Sequence, residues 1–158
     1  LSVVATEDSN FCNHLGVDLK EIYRVIRRGE ERGASTITQQ LAKNLFLWSG
    51  RSWSRKMIEL YLTFLLEMII PKRRIIEIYL NTVETSLLAF GFNKASEKYY
   101  KKPSNKLTKE QAIRIALTLP SPKTRSPKKL KSYLVDRISR LKKDIDILKK
   151  DDRSSCFL

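Results

Sequence analysis

At 158 residues the chain is long enough for one compact domain with its own core, and an apolar fraction of 42% with two Trp excludes a disordered polyelectrolyte. Thirty-one Lys and Arg against 17 Asp and Glu give a formal net charge of +14, which suits nucleic acid, anionic lipid or a phosphorylated substrate without choosing among them. The longest run free of charged residues is ten, 33–42, and it is polar, so no stretch supplies the roughly 20 apolar residues of a membrane helix.

Residues 1–18 contain no Lys or Arg but carry Glu7, Asp8 and Asp18. Within them stands Glu7-Asp8-x-x-Phe11-x-x-His14-x-Gly16. A carboxylate that is desolvated and has a like charge beside it is tuned upward, as a general base acting on a sugar hydroxyl requires. A helix cap or a surface acid is the competing reading. His14 is the only histidine, too few for a His-based metal site or a Ser-His-Asp triad, and a structural hydrogen bond near the acids suits it best. Cys12 and Cys156 sit far apart and lack metal-ligand spacing, so free or buried thiols are expected.

Residues 33–43 read Gly-Ala-Ser-Thr-Ile-Thr-Gln-Gln-Leu-Ala-Lys. Thr36 and Gln39 have capping-box spacing, which predicts a helix from about 36 to 47. Ser35, Thr36, Gln39 and Gln40 suit a site that hydrogen-bonds a multi-hydroxyl substrate, with Lys43 one turn on. Ser52 or Ser54 caps the next predicted helix, which runs through Leu66 or beyond with Met57, Leu60, Tyr61, Phe64, Leu65 and Met68 as its expected buried stripe. Arg51-x-x-x-Arg55-Lys56-x-x-Glu59 places cations and a carboxylate on one helical face. Such a cluster suits a diphosphate, and a solvated ion-paired face is the alternative.

Pro71 opens a further helix with Ile75, Ile76, Tyr79 and Leu80 on its apolar face. Its Glu77 and Asn81 are expected to pin neighbouring helices through buried hydrogen bonds. Thr108 and Gln111 form a second capping box before a helix ending near Pro120, and three prolines stiffen 120–127. Leu130, Leu134, Ile138, Leu141, Ile145 and Leu148 mark a long amphipathic C-terminal helix whose Lys-rich outer face is most simply solvated, attraction to anionic lipid being its functional reading. The fold class is mainly α.

Taken in order, these segments resemble the peptidoglycan glycosyltransferases (glycosyltransferase family 51). Glu7–Gly16, Gly33–Gln40, Arg55-Lys56-x-x-Glu59, Lys72–Asn81 and Leu119–Pro122 with Ser126-Pro127 resemble its five motifs. Residues 44–53 are closest to the monofunctional biosynthetic members. The resemblance implies a lysozyme-like two-lobed helical domain with a cleft between lobes, 1–127 forming the catalytic domain and 128–158 an amphipathic helix and tail of the same domain. It implies polymerisation of lipid II into β-1,4 glycan strands, with inversion and release of undecaprenyl diphosphate.

Carried over by motif, Glu7 is the general base and Glu59 the second catalytic carboxylate, which positions the cations or a divalent metal. Lys43, Arg51, Arg55 and Lys56 receive the diphosphate, and Ser35, Thr36, Gln39 and Gln40 line the sugar cleft. No cofactor is obligatory, with Mg or Mn the candidate divalent cation. The implied partners are lipid II, the growing glycan strand, an anionic membrane surface and other cell-wall synthesis or division proteins, with no nucleic acid. The implied location is the periplasmic face of the bacterial inner membrane, with an N-terminal anchor that the sequence from Leu1 onward does not include. The sequence departs from the family at Ser86 and Leu88, where glycines are usual, and at Arg114, where an apolar residue is usual. Two competing functions are a non-catalytic basic module for anionic membrane or nucleic acid, and a hydrolytic lysozyme or lytic transglycosylase relative.

Overall fold

The computed structural model describes residues 1–29, 34–50, 52–87 and 89–158, so Arg32, Gly33, Arg51 and Leu88 lie outside the described residues. The described chain is mainly helical: α1 (Ser2–Glu7), α2 (Leu19–Arg28), α3 (Ile37–Phe46), α4 (Trp53–Ile69), α5 (Lys72–Thr82), α6 (Phe92–Tyr100), α7 (Lys109–Ala116) and α8 (Ser132–Lys150). Between α5 and α6, β1 (Glu84–Ser86) and β2 (Ala89–Phe90) pair antiparallel. This agrees with the expected fold class.

Both predicted capping boxes form. The Thr36 and Thr108 hydroxyls accept the N–H of Gln39 and Gln111, whose side chains return to the Thr36 and Thr108 N–H. Ser52 caps α4 by accepting from the Arg55 N–H. α3 packs between α4 and α5, and α1 packs on α7 and α8. One core gathers Val3, Val4, Phe11, Ile37, Leu41, Ile75 and Tyr79. A second joins Ile113 and Leu117 of the α7 region to Leu134, Ile138, Leu141 and Ile145 of α8.

Three expectations are corrected. First, Cys12 and Cys156 form a disulfide, because the tail after α8 returns to the segment after α1 and Phe157 lies against Phe11 at 6.0 Å between ring centroids. Second, most of the expected apolar stripe of α4 faces outward: Met57, Tyr61, Phe64 and Met68 are exposed, Met68 at 82%, while Leu60 and Leu65 are half-buried. The inner face joins polar groups to Leu66, which packs on the main core. Thr63 donates to the Glu59 carbonyl at 2.7 Å, and Glu67 accepts from Thr38 of α3 at 2.5 Å. Third, Glu77 and Asn81 pin no neighbouring helix among the described residues: both are exposed, Asn81 bonds back to the Glu77 carbonyl and Glu77 pairs with Arg74, all within α5. Lys72 does the pinning, paired with Glu67 of α4 at 2.8 Å and seated 4.4 Å from the Phe11 ring centroid.

Gly16 explains itself by close approach. Its φ is +84°, and a Cβ there would meet Thr63 Cγ2 at 2.5 Å, so only glycine lets this loop lie on α4.

Candidate active site

α1 ends at Glu7, and the acidic pair then divides its labour. Asp8 is buried and satisfied by protein. Its Oδ2 accepts from the Ile37 N–H at 3.0 Å, completing the cap of α3, and its Oδ1 lies 2.9 Å from His14 Nε2. His14 Nδ1 accepts from the Gly16 N–H at 3.1 Å, which leaves Nε2 as the protonated nitrogen donating to Asp8. His14 is therefore structural, as expected.

Glu7 is half-buried and opens into a cleft of about 910 Å³. Its Oε2 accepts from Gln40 Nε2 at 3.1 Å, while no described residue bonds Oε1. Burial pushes the Glu7 carboxyl above the usual range. The Gln40 hydrogen bond, Arg137 and Arg125 act against that rise, and neighbouring Asp8 adds to it.

Ser35, Thr36, Gln40 and Lys43 line the same cleft, brought there by the extended approach to α3 and its first two turns. Gln39 does not line it. Its amide is buried in the capping box, accepting from the Thr36 N–H at 3.0 Å. Adjacent positions on a helix point about 100° apart, so one glutamine caps while the next faces the cavity.

Glu59 is buried on the inner side of α4, with its side chain 4% exposed. Arg55 reaches Glu59 Oε2 at 3.4 Å, and Lys56 holds Oε1. This triad lies beside α3 but outside the lining of the Glu7 cleft; Lys43 is the expected diphosphate residue that lines it. Arg55 Nε is buried with no hydrogen-bond partner among the described residues. Both Glu59 oxygens already pair with cations, and among the described residues no group of three or more His, Cys, Asp or Glu is placed to hold a metal.

A sequence profile described as Transglycosylase matches residues 1–146 of the 158. The chain belongs to the transglycosylase family. Its relatives include proteins named biosynthetic peptidoglycan transglycosylase. The one from Marinomonas sp. is 45% identical over 155 residues, covering 96% of this chain and 69% of its own length. That from Mannheimia succiniciproducens is 49% identical over 126 residues (77% and 52%), and that from Shewanella frigidimarina 44% over 143 (88% and 63%). The chain thus spans between about half and two thirds of the length of these relatives.

This transglycosylase chain also brings to the cleft cations that the motif reading passed over: Arg24, Arg125, Arg137, Arg140 and Arg153. Arg137, Arg140, Leu141, Asp144, Ile147 and Leu148 recur every three or four residues, so one face of α8 forms a cleft wall. The signal was present as cations flanking the buried stripe, but it read as solvated surface. Two of the departures from the family, Arg114 and Ser86, are accommodated locally. Arg114 pairs with Glu110 at 3.0 Å and reaches the Pro127 carbonyl at 3.5 Å, and Ser86 accepts from Lys98 at 2.9 Å.

Proposed function

We propose that the chain is a peptidoglycan glycosyltransferase that polymerises lipid II into β-1,4 glycan strands with inversion, releasing undecaprenyl diphosphate. The observation that carries this reading is Glu7: a half-buried carboxylate with one oxygen held by Gln40 and the other bonded by no described residue, in a cleft walled by Lys43 and five arginines. The Glu7 carboxylate takes the proton of the acceptor sugar's 4-hydroxyl. The freed oxygen lone pair forms a bond to the anomeric carbon of the growing chain, from the face opposite the leaving group. The bond from that carbon to the diphosphate oxygen breaks, and its electron pair leaves with the diphosphate. Fixed cations stabilise the charge that develops there. Lys43 is the cation of the proposed diphosphate group that lines the cleft, Arg55 and Lys56 with Glu59 support it from α4, and Ser35 and Gln40 meet the sugar hydroxyls, while the Thr36 hydroxyl is committed to the cap and to the Gly16 carbonyl.

The same reading places the chain at the periplasmic face of the inner membrane. Among the described residues no helix is long and apolar enough to cross a membrane. Yet Leu19, Tyr23 and Ile26 of α2, and Trp53, Met57, Tyr61 and Met68 of α4, are exposed, Trp53 at 88%. Exposed aromatic and aliphatic groups on a strongly basic chain suit the interface of an anionic bilayer. The disulfide suits an oxidising compartment. Incubation with labelled lipid II in detergent tests the reading. Lysozyme-digestible polymer is expected; duplex DNA binding with steep salt dependence and no polymer would favour the binding-module alternative instead.

A further inference from the structure

Three helices meet in one directional chain of hydrogen bonds. Tyr79 of α5 is fully buried, and its hydroxyl donates to Gln40 Oε1 at 2.8 Å. Gln40 of α3 donates through Nε2 to Glu7 Oε2 at 3.1 Å, and more distantly to the Ser35 carbonyl at 3.5 Å. We infer that Tyr79 is a positioning residue that locks the Gln40 amide, so that Oε2 of Glu7 always faces a donor and Oε1 alone exchanges the proton. The inference rests on the reading of Glu7 as the general base.

The lock acts on proton supply. A side-chain amide has two orientations that differ only in which end carries hydrogens. With Glu7 ionised, its carboxylate already selects the observed orientation, since two acceptors cannot face each other. With Glu7 protonated that selection disappears, because the acid could donate to a flipped amide oxygen. Tyr79 decides this second case. In the flipped state the amide hydrogens would face the Tyr79 oxygen, and the buried hydroxyl proton would lose the acceptor it has in the structure. The lock therefore holds through both halves of the cycle and keeps the protonated base acidic enough to discharge before the next addition. Burial, with Glu7 and Asp8 nearby, drives the Tyr79 hydroxyl well above the ordinary phenol range, so it stays protonated and able to donate.

Tyr79→Phe tests this. The charged groups around Glu7 (Asp8, Arg125, Arg137 and, across the cleft, Lys43) are untouched by the change. The Glu7 carboxyl, followed by ¹³C NMR without substrate, should titrate about half a unit to one unit higher than in the wild type. The acidic limb of polymerisation rate against pH should move by the same amount, with kcat several-fold lower and KM unchanged. In a Gln40→Met background, Tyr79→Phe should add no further shift. An unmoved titration in Tyr79→Phe, or an equal shift without Gln40, overturns the lock. Should Tyr79→Phe not fold, the wild-type Gln40 side-chain amide decides: one set of ¹⁵N signals through the Glu7 titration is expected, and two exchanging orientations at low pH overturn it. An inactive wild type would sink the general-base reading, while the carboxyl titration would still judge the lock.

Discussion

Replacing Cys156 with Ser removes the covalent closure between the segment after α1 and the tail after α8. The bridge spans 144 positions, nearly the whole chain. A loop of that length restricts the unfolded chain by about 5 kcal/mol in the chain-entropy treatment, which is an upper figure. The folded tail keeps other anchors. Phe157 lies against Phe11, and the Ser154 hydroxyl donates to the Leu148 carbonyl at 3.4 Å. A loss of about 3–4 kcal/mol is therefore expected, equivalent to a fall in Tm of about 6–16 °C for a domain of this size. Urea unfolding of Cys156→Ser beside oxidised and reduced wild type measures it. Reduced wild type and Cys156→Ser should unfold at nearly the same midpoint, both well below the oxidised protein. A loss under about 1 kcal/mol, or two titratable thiols in protein prepared under oxidising conditions, would refute the reasoning.

The raised Glu7 pKa makes a signed prediction. The folded state binds that proton more tightly than the unfolded chain, so the group's contribution to stability is most favourable below the ordinary carboxylate pKa and falls as pH rises through the folded value. Glu7→Gln should therefore gain stability on the wild type at pH 7 relative to pH 4, measured by urea unfolding. Glu59→Gln strips Arg55 and Lys56 of their shared partner and should cost about 2–3 kcal/mol, discounted because Lys56 is partly exposed; a loss of polymerisation with no change in unfolding midpoint would contradict its supporting role. Trp53→Ser with Met57→Ser should weaken binding to anionic vesicles while leaving Tm within about 2 °C, because neither side chain is in the core; unchanged vesicle sedimentation would remove α4 from the membrane reading.

Much of the fold was legible because its signals are local. The Thr36–Gln39 and Thr108–Gln111 boxes fix their helix starts by contacts within four residues, and α8 shows its buried stripe directly. The α4 misreading has a different origin. Periodicity identifies an apolar face but not what that face meets, and here α3 meets the other side through Glu67, which accepts from Thr38. Two cysteines 144 apart cannot declare a bridge, because their meeting depends on the path of the entire chain. Within the site, Glu7 and Asp8 look alike in sequence; only the geometry shows Asp8 consumed by Ile37 and His14 while Glu7 keeps an oxygen for the cleft. Arg125, Arg137 and Arg140 escaped notice because a cation reads the same whether its helix face meets water or a cleft.

The most direct test of the account is glycan synthesis from labelled lipid II by Glu7→Gln, with its circular dichroism and unfolding midpoint recorded beside those of the wild type. The account predicts a folded variant, no less stable at neutral pH, that makes no lysozyme-digestible polymer. Polymer formed by that variant at the wild-type rate would contradict it.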